Sequence, residues 1–336
     1  MIFENLPTTP RSEELIDKAF SRASRTGRAK SGHDAQTSML QTASNILSDN
    51  LENVVTAWPD FDDVDPFYRE LADAVVSAKA NEAAGANDPV LGGVDEIRKA
   101  LSEVTWASRK TADIRREYEG RIRNNDIETA RKFRRQAFAR LADVVEEIED
   151  DLLLIGQARD ALKGLPDIRP DEPAIVVAGY PNVGKSSFVN SVTRASNETA
   201  SYPFTTKGIG VGHFERDRVR YQIIDTPGLL DRPADERNEI EQQAASALTH
   251  LGDCLMFVLD PSGNCGYPLS SQLELLDSVQ EQFQDVPVLV VANKADVSRD
   301  ADADYYMSVT EDENVDEVLT AAVDATGFEP KLPFEE

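Results

Sequence analysis

The hydrophobic positions of this 336-residue chain follow two different rhythms. Through residues 1–165 they recur at helical spacing. Ile97, Leu101, Val104, Ala107 and Ile114 form one stripe between Val94 and Arg123. A second stripe runs through Phe133, Phe138, Leu141, Val144, Val145, Ile148, Leu152 and Ile155. It predicts one long helix from Asp126, whose carboxylate suits an N-cap, to Leu162. Shorter amphipathic segments near 12–24, 36–56 and 67–83 are separated by loops at Trp58–Pro66 and Gly85–Gly93, rich in Pro, Gly, Asn and Asp. The pattern predicts an all-helical domain over 1–165, built on a long antiparallel helix pair. A proline-bearing linker, 166–172, follows. Beyond it, short apolar runs alternate with helical stretches. Ala174–Ala178, Val219–Ile224, Cys254–Leu259 and Val286–Ala292 read as strands, and segments near 185–194, 236–250, 269–283 and 314–325 as helices. Gly208–Arg216, followed by Val219, reads as a hairpin turning near Asp217. This alternation predicts an α/β domain over 173–336, with a mostly parallel sheet covered by helices on both faces.

The loops after these strands carry the chemistry. Gly179-Tyr180-Pro181-Asn182-Val183-Gly184-Lys185-Ser186 follows the first strand with the spacing G-x-x-x-x-G-K-S, and Ser187 continues it. Glycines let such a backbone wrap a phosphate, while the amides of Asn182 to Ser187 and the following helix N-terminus face the anion. Lys185 is placed to reach the β- and γ-phosphates, and the Ser186 hydroxyl to coordinate Mg²⁺. Asp225-Thr226-Pro227-Gly228 ends a second strand. Asp225 there can hold Mg²⁺ through water, and the Gly228 amide can sense the γ-phosphate. Asn293-Lys294-Ala295-Asp296 ends a third. The Asp296 carboxylate only accepts hydrogen bonds, so it suits the N1–H and N2–H donor pair of guanine, which adenine lacks. Lys294 can lay its aliphatic stem along the base. Ser308-Val309-Thr310 falls where a backbone amide meets the guanine O6. Leu229, directly after Gly228, has no group that orients water, so intrinsic hydrolysis is expected to be slow.

Four motifs in this order resemble the GTPase family, with an α/β P-loop GTPase domain preceded by a helical-bundle domain. Ser201-Tyr202-Pro203-Phe204-Thr205-Thr206-Lys207-Gly208 resembles the switch I segment of the Obg-related branch. That resemblance makes Thr206 the threonine that closes on Mg²⁺ and the γ-phosphate. The helical half leading into Pro-Asn-Val-Gly-Lys-Ser-Ser is similar to the nucleolar GTP-binding protein family, in a compact archaeal-type form. The resemblance implies a GTPase cycling on GTP, GDP and Mg²⁺ during large (50S) ribosomal subunit assembly, with Lys185, Thr206 and Gly228 at the reacting end. It leaves the role of the long C-terminal extension of eukaryotic relatives outside this chain. In cation-activated GTPases an asparagine at the position of Asn182 binds K⁺, which makes K⁺-stimulated hydrolysis the expectation. Two alternatives stay open: a regulatory or tRNA-related GTPase whose helical half binds protein, and a GTP-binding module with negligible turnover.

Charge sharpens the choice of partner. The chain holds 35 Lys+Arg against 61 Asp+Glu, a net charge of −26, and 24 of the basic residues are arginine. This acidic, Arg-over-Lys balance resembles proteins of salt-in halophiles and argues against a generic DNA-binding domain. The excess is uneven. Residues 1–170 carry 24 basic and 31 acidic residues (−7), whereas the remainder carries 11 and 30 (−19). Within Arg109–Arg140, 11 basic residues meet five acids, a window of +6. Arginine pairs with phosphate, so this stripe is a candidate rRNA-facing surface on a large-subunit precursor; a solvated face with internal ion pairs is the competing reading. A smaller basic cluster spans Lys18–Lys30. No apolar run approaches the ~20 residues of a membrane helix, and with Glu4 and Pro7 ahead of any apolar run no secretory leader is expected. Cys254 and Cys265 cannot build a disulfide framework. A cytoplasmic, monomeric protein is expected.

Overall fold

A computed structural model describes residues 3, 5–83, 92–163, 168–193, 198–200, 209–227, 229–232, 234–237 and 239–329. Switch I (201–208), Gly228 and most of the 85–93 loop lie outside the described residues. The chain divides into two compact units. One comprises Ile2–Asp63 and Lys79–Lys163, the other Val64–Ala78 and Gly164–Glu336. Residues 64–78, expected within the helical half, thus belong with the C-terminal unit, where Tyr68 donates its hydroxyl proton to the Ile168 carbonyl and His250 lies 3.1 Å from Glu70.

The helical unit contains α1 (Ser12–Arg28), α2 (Gly32–Thr56), α4 (Val94–Arg123), α5 (Ile127–Glu147) and α6 (Glu149–Leu162), while α3 (Pro66–Ala83) crosses from one unit into the other. The central helix α2 packs on α1, α4 and α5. Its inward face is Leu40, Ala43, Leu47 and Leu51, all fully buried. Asp126 caps α5 as the pattern predicts, its carboxylate accepting from the Glu128 and Thr129 amides at 2.9 and 3.0 Å. The predicted single helix 126–162 is interrupted, because Ile148 leaves helical geometry (φ −100°, ψ 18°) between α5 and α6. The acidic run around it supplies a reason. A break there places Glu149, Asp150 and Asp151 in the first turn of a new helix, where its dipole favours carboxylates. None of the helices described is long and apolar enough to cross a membrane.

The C-terminal unit is built on a seven-stranded sheet. Its strands are β1 (Ala174–Ala178), β2 (Glu198–Ala200), β3 (Ile209–Arg216), β4 (Val219–Asp225), β5 (Cys254–Leu259), β6 (Val288–Ala292) and β7 (Tyr305–Tyr306), in the order β2-β3-β4-β1-β5-β6-β7. β4, β1, β5, β6 and β7 run parallel, while at one edge β3 pairs antiparallel with β4, and β2 antiparallel with β3. Every residue of β1 and β5 is buried, as expected of central strands covered on both faces. The helices α7 (Lys185–Val192), α8 (Glu239–Leu251), α9 (Leu269–Gln282) and α10 (Val315–Ala325) supply the cover. The β3–β4 hairpin turns at Asp217 and Arg218, both at positive φ (50° and 67°), the geometry of a two-residue primed turn.

Candidate functional site

The loops at the carboxyl ends of β1, β4, β5, β6 and β7 meet at one edge of the sheet, where open parallel sheets bind ligands. The first is Gly179–Gly184, between β1 and α7. Gly179 and Gly184 adopt φ of 132° and 107°, conformations that disfavour side chains. A Cβ on Gly179 would strike the Val258 carbonyl of β5, and one on Gly184 the Asn293 side-chain amide. Asn182 also takes a left-handed conformation, φ 64°. Lys185 is buried, and its ammonium donates to the carbonyls of Gly179 and Tyr180 at 2.6 and 2.9 Å. Pro181, Val183 and Ser187 complete the turn, with Val183 buried beneath it and Ser187 exposed. The Tyr180 and Tyr267 rings meet at 4.3 Å between centroids, tilted by 30°.

Strand β4 delivers Asp225 opposite the first turn of α7. The Ser186 hydroxyl donates to Asp225 Oδ2, while Asp225 Oδ1 is buried without a hydrogen-bond partner among the described residues. Burial pushes the Asp225 carboxyl up, partly offset by Ser186 and by the Lys185 charge. A serine hydroxyl beside a carboxylate with an unpaired oxygen is an all-oxygen donor pair, the set a hard cation such as Mg²⁺ takes; these residues fit that ion. Thr226 is fixed by its hydroxyl donating to the Val177 carbonyl at 2.8 Å. Pro227 follows. Leu229 and Leu230 are fully buried, and the Leu230 carbonyl accepts from the Gly179 amide at 3.2 Å. Thr206 and Gly228 cannot be placed relative to these groups, since both lie outside the described residues.

Asn293, 3% exposed, ties three motifs together. Its Nδ2 donates to the Val183 carbonyl at 2.8 Å, and its Oδ1 accepts from the Val309 amide at 3.3 Å. Asp296 is exposed at the open end of the same loop. Ser308 is buried, and its hydroxyl accepts from the Glu311 amide at 3.2 Å. Lys294, at φ 59°, sends its ammonium to the Asn182 carbonyl at 3.2 Å and to Asp260 at 2.6 Å. Asp260 directly follows β5 and belongs to none of the sequence motifs. Its surroundings, Asp-Pro-Ser-Gly, look like an ordinary turn in sequence. Burial alone would raise its carboxyl, but hydrogen bonds from Lys294, Ser262 and Cys265 outweigh that and hold it below the usual carboxylate range.

The helical unit qualifies the basic window. Arg116, Arg121 and Arg140 pair with Asp113 or Glu117 at 2.6–2.8 Å. Arg134 lies over the Phe138 ring at 5.0 Å and donates to Gln36, and burial lowers its pKa. Arg123, Arg131, Lys132 and Arg135 are exposed.

A glycine-wrapped phosphate loop, a Ser186–Asp225 pair and a guanine-type Asn-Lys-x-Asp loop on a mixed sheet define a P-loop GTPase fold, here following a helical domain. Family models agree. That of the NOG1 N-terminal helical domain matches residues 3–84 and 87–169, and that of nucleolar GTP-binding protein 1 (NOG1) matches 239–296. The chain belongs to the NOG1 family. It is 33% identical over 305 residues to an uncharacterized protein of Methanocaldococcus jannaschii, covering 88% of this chain and 81% of that protein. Nucleolar GTP-binding protein 1 of Drosophila melanogaster is 33% identical over 285 residues, which is 83% of this chain and 41% of that protein. The chain thus spans well under half the length of that relative. A solved Plasmodium falciparum nucleolar GTP-binding protein 1 is 33% identical, covering 48% of this chain and 90% of that one at a TM-score of 0.44.

Proposed function

We propose that this protein binds GTP and GDP with Mg²⁺, hydrolyses GTP slowly, and acts as a cytoplasmic switch in assembly of the large (50S) ribosomal subunit. The observation that carries the nucleotide part is Asn293, one buried side chain bridging the phosphate loop to the segment after β7. Such a bridge serves a ligand that spans both ends. Lys185 exchanges its two loop carbonyls for β- and γ-phosphate oxygens. Ser186 and Asp225 would hold Mg²⁺, with Thr206 as a third group in the GTP state, and the ion would supply neutralisation of charge on the phosphate oxygens. Asp296 accepts the guanine donors, with the Val309 amide toward O6. Gly228 reports the γ-phosphate through its amide. Leu229 brings no polar group to the attacking water, so turnover depends on K⁺ held at Asn182 or on a group supplied by the particle.

The ribosomal part is supported by family membership and by the exposed cations Arg123, Arg131, Lys132 and Arg135 on α4 and α5. The test is sedimentation of tagged protein with GTP, GDP or a non-hydrolysable GTP analogue. Co-migration with pre-50S particles in the analogue, reduced by Arg131→Glu with Arg135→Glu, supports the reading. Particle binding that ignores both nucleotide and charge reversal refutes it. For K⁺, faster turnover in KCl than in NaCl, lost in Asn182→Ala, is the expected result.

A further inference from the structure

Directly after strand β5 stands a carboxylate built to hold one ammonium. Asp260 has no solvent exposure, and both its oxygens are occupied. Oδ1 accepts from the Ser262 amide at 3.0 Å and the Ser262 hydroxyl at 2.5 Å. Oδ2 accepts from the Cys265 amide at 2.7 Å and from Lys294 Nζ at 2.6 Å. The backbone of Asp260 is clamped as well. The buried Gln272 side chain of α9 accepts from its amide at 2.8 Å and donates to its carbonyl at 3.1 Å. A buried carboxylate with two donors on each oxygen, on a clamped backbone, is a fixed point in the site.

We propose that Asp260 is a positioning residue for base recognition, which anchors the Lys294 ammonium so that the lysine stem forms one wall of the guanine slot. This rests on the reading of Asn293–Asp296 as the base-binding segment. Lys294 sits at φ 59°, a backbone conformation costly for a residue with a side chain, and the ion pair offsets that cost. The same ammonium donates to the Asn182 carbonyl at 3.2 Å. Asp260, Lys294 and Asn182 therefore form a chain from β5 through the base loop to the phosphate loop. Without the carboxylate, the ammonium is left part-buried with one weak partner, and its stem is free to leave the slot. A carboxylate that merely folded its own turn would need only the Ser262 and Cys265 donors. The bond to Lys294, 34 residues away in sequence, has no such purpose.

A double-mutant cycle on the full chain tests this, using titration with fluorescent GDP and with fluorescent ADP as the control. Asp260→Asn and Lys294→Met are each expected to weaken GDP binding about tenfold or more. The double variant is expected to lose no more than about twofold beyond Lys294→Met alone. In steady state, Asp260→Asn raises KM for GTP while kcat at saturation stays within about twofold. Asp260→Glu, which keeps the charge, recovers part of the loss. Ser262→Ala, which leaves the ion pair, stays within about twofold of the wild type and supplies the comparison if Asp260→Asn does not fold. Equal losses from Asp260→Asn with and without Lys294, a loss in Ser262→Ala as large as in Lys294→Met, or unchanged GDP affinity in folded Asp260→Asn overturns the proposal. A wild-type chain that binds ADP as tightly as GDP refutes the base-site reading itself, a separate outcome.

Discussion

Asn293 gives the clearest energetic prediction. Truncation to alanine removes the 2.8 Å bond to the Val183 carbonyl and the 3.3 Å bond from the Val309 amide. The side chain is 3% exposed, so the Val183 carbonyl and the Val309 amide lose a partner in a place with little water to replace it. Each bond contributes about 0.5–1.5 kcal/mol net, and each orphaned buried group costs about 1–3 kcal/mol. The longer bond and the partial exposure of Val309 hold the total to about 2–4 kcal/mol. For a unit of this size that lowers the melting temperature by roughly 4–16 °C. Calorimetry of the nucleotide-free chain measures it, and amide exchange at Val309 shows whether the loss is local. GDP affinity should fall with it, because the phosphate loop and the segment after β7 lose their common anchor. Gly184→Ala drives a methyl into the same Asn293 amide. In the Asn293→Ala background it should therefore cost only the left-handed backbone penalty, about 1–2 kcal/mol. A loss under about 0.5 kcal/mol in Asn293→Ala with unchanged Val309 exchange would refute the bridging role.

Other expected outcomes follow from single contacts. Asp225→Asn removes a charge from a buried site in which one oxygen lacks a partner, so the nucleotide-free chain gains about 1 kcal/mol and melts roughly 2–4 °C higher, while Mg²⁺-dependent GTP binding is lost; calorimetry and nucleotide titration with and without EDTA measure the two effects. Leu229→Gln places an amide in a fully buried position, and is expected to destabilise by about 1–3 kcal/mol without raising the hydrolysis rate; phosphate release against thermal melting checks it. The Thr129 hydroxyl and amide, with the Glu128 amide, hold the Asp126 carboxyl below its ordinary value. A lowered folded-state pKa means that this cap stabilises α5 above the unfolded carboxyl pKa and is lost as pH falls through the folded value. The protection of the Glu128 and Thr129 amides, taken relative to the intrinsic exchange rate at each pH, should therefore fall on acidification in the wild type and be low at every pH in Asp126→Ala.

The depth to which this molecule is legible in sequence varies with the range of the interaction. Helical and strand periods predict the elements of both units closely, because burial of one stripe or face is decided by near neighbours in the chain. The same holds for the β3–β4 turn and the Asp126 cap, and for glycines 179 and 184, each required by a local backbone conformation. The break at Ile148 is less legible, since a continuous apolar stripe runs across it and only the clustered acids argue for a new helix start. That Lys185, Ser186, Asp225, Asn293 and Lys294 stand at the carboxyl ends of sheet strands was likewise readable, because each belongs to a motif that directly follows an apolar strand run.

Tertiary structure decided the rest. Residues 64–78 carry a helical segment like those on either side of it, and nothing in that pattern says that they pack with the C-terminal unit. Arg134 counts as one more cation in a basic window until its guanidinium is seen over Phe138 beside Gln36, 98 residues away. Asp260 lies in an ordinary turn sequence, and its meaning comes from β5 and β6 being neighbours in the sheet, which brings Lys294 to its carboxylate. Sequence by itself determined which groups could meet a nucleotide, since that chemistry is carried by residue type and local spacing. Which side chains hold those groups in place was set by strand order and helix packing, since a buried ion pair or hydrogen bond forms between whatever the fold makes adjacent.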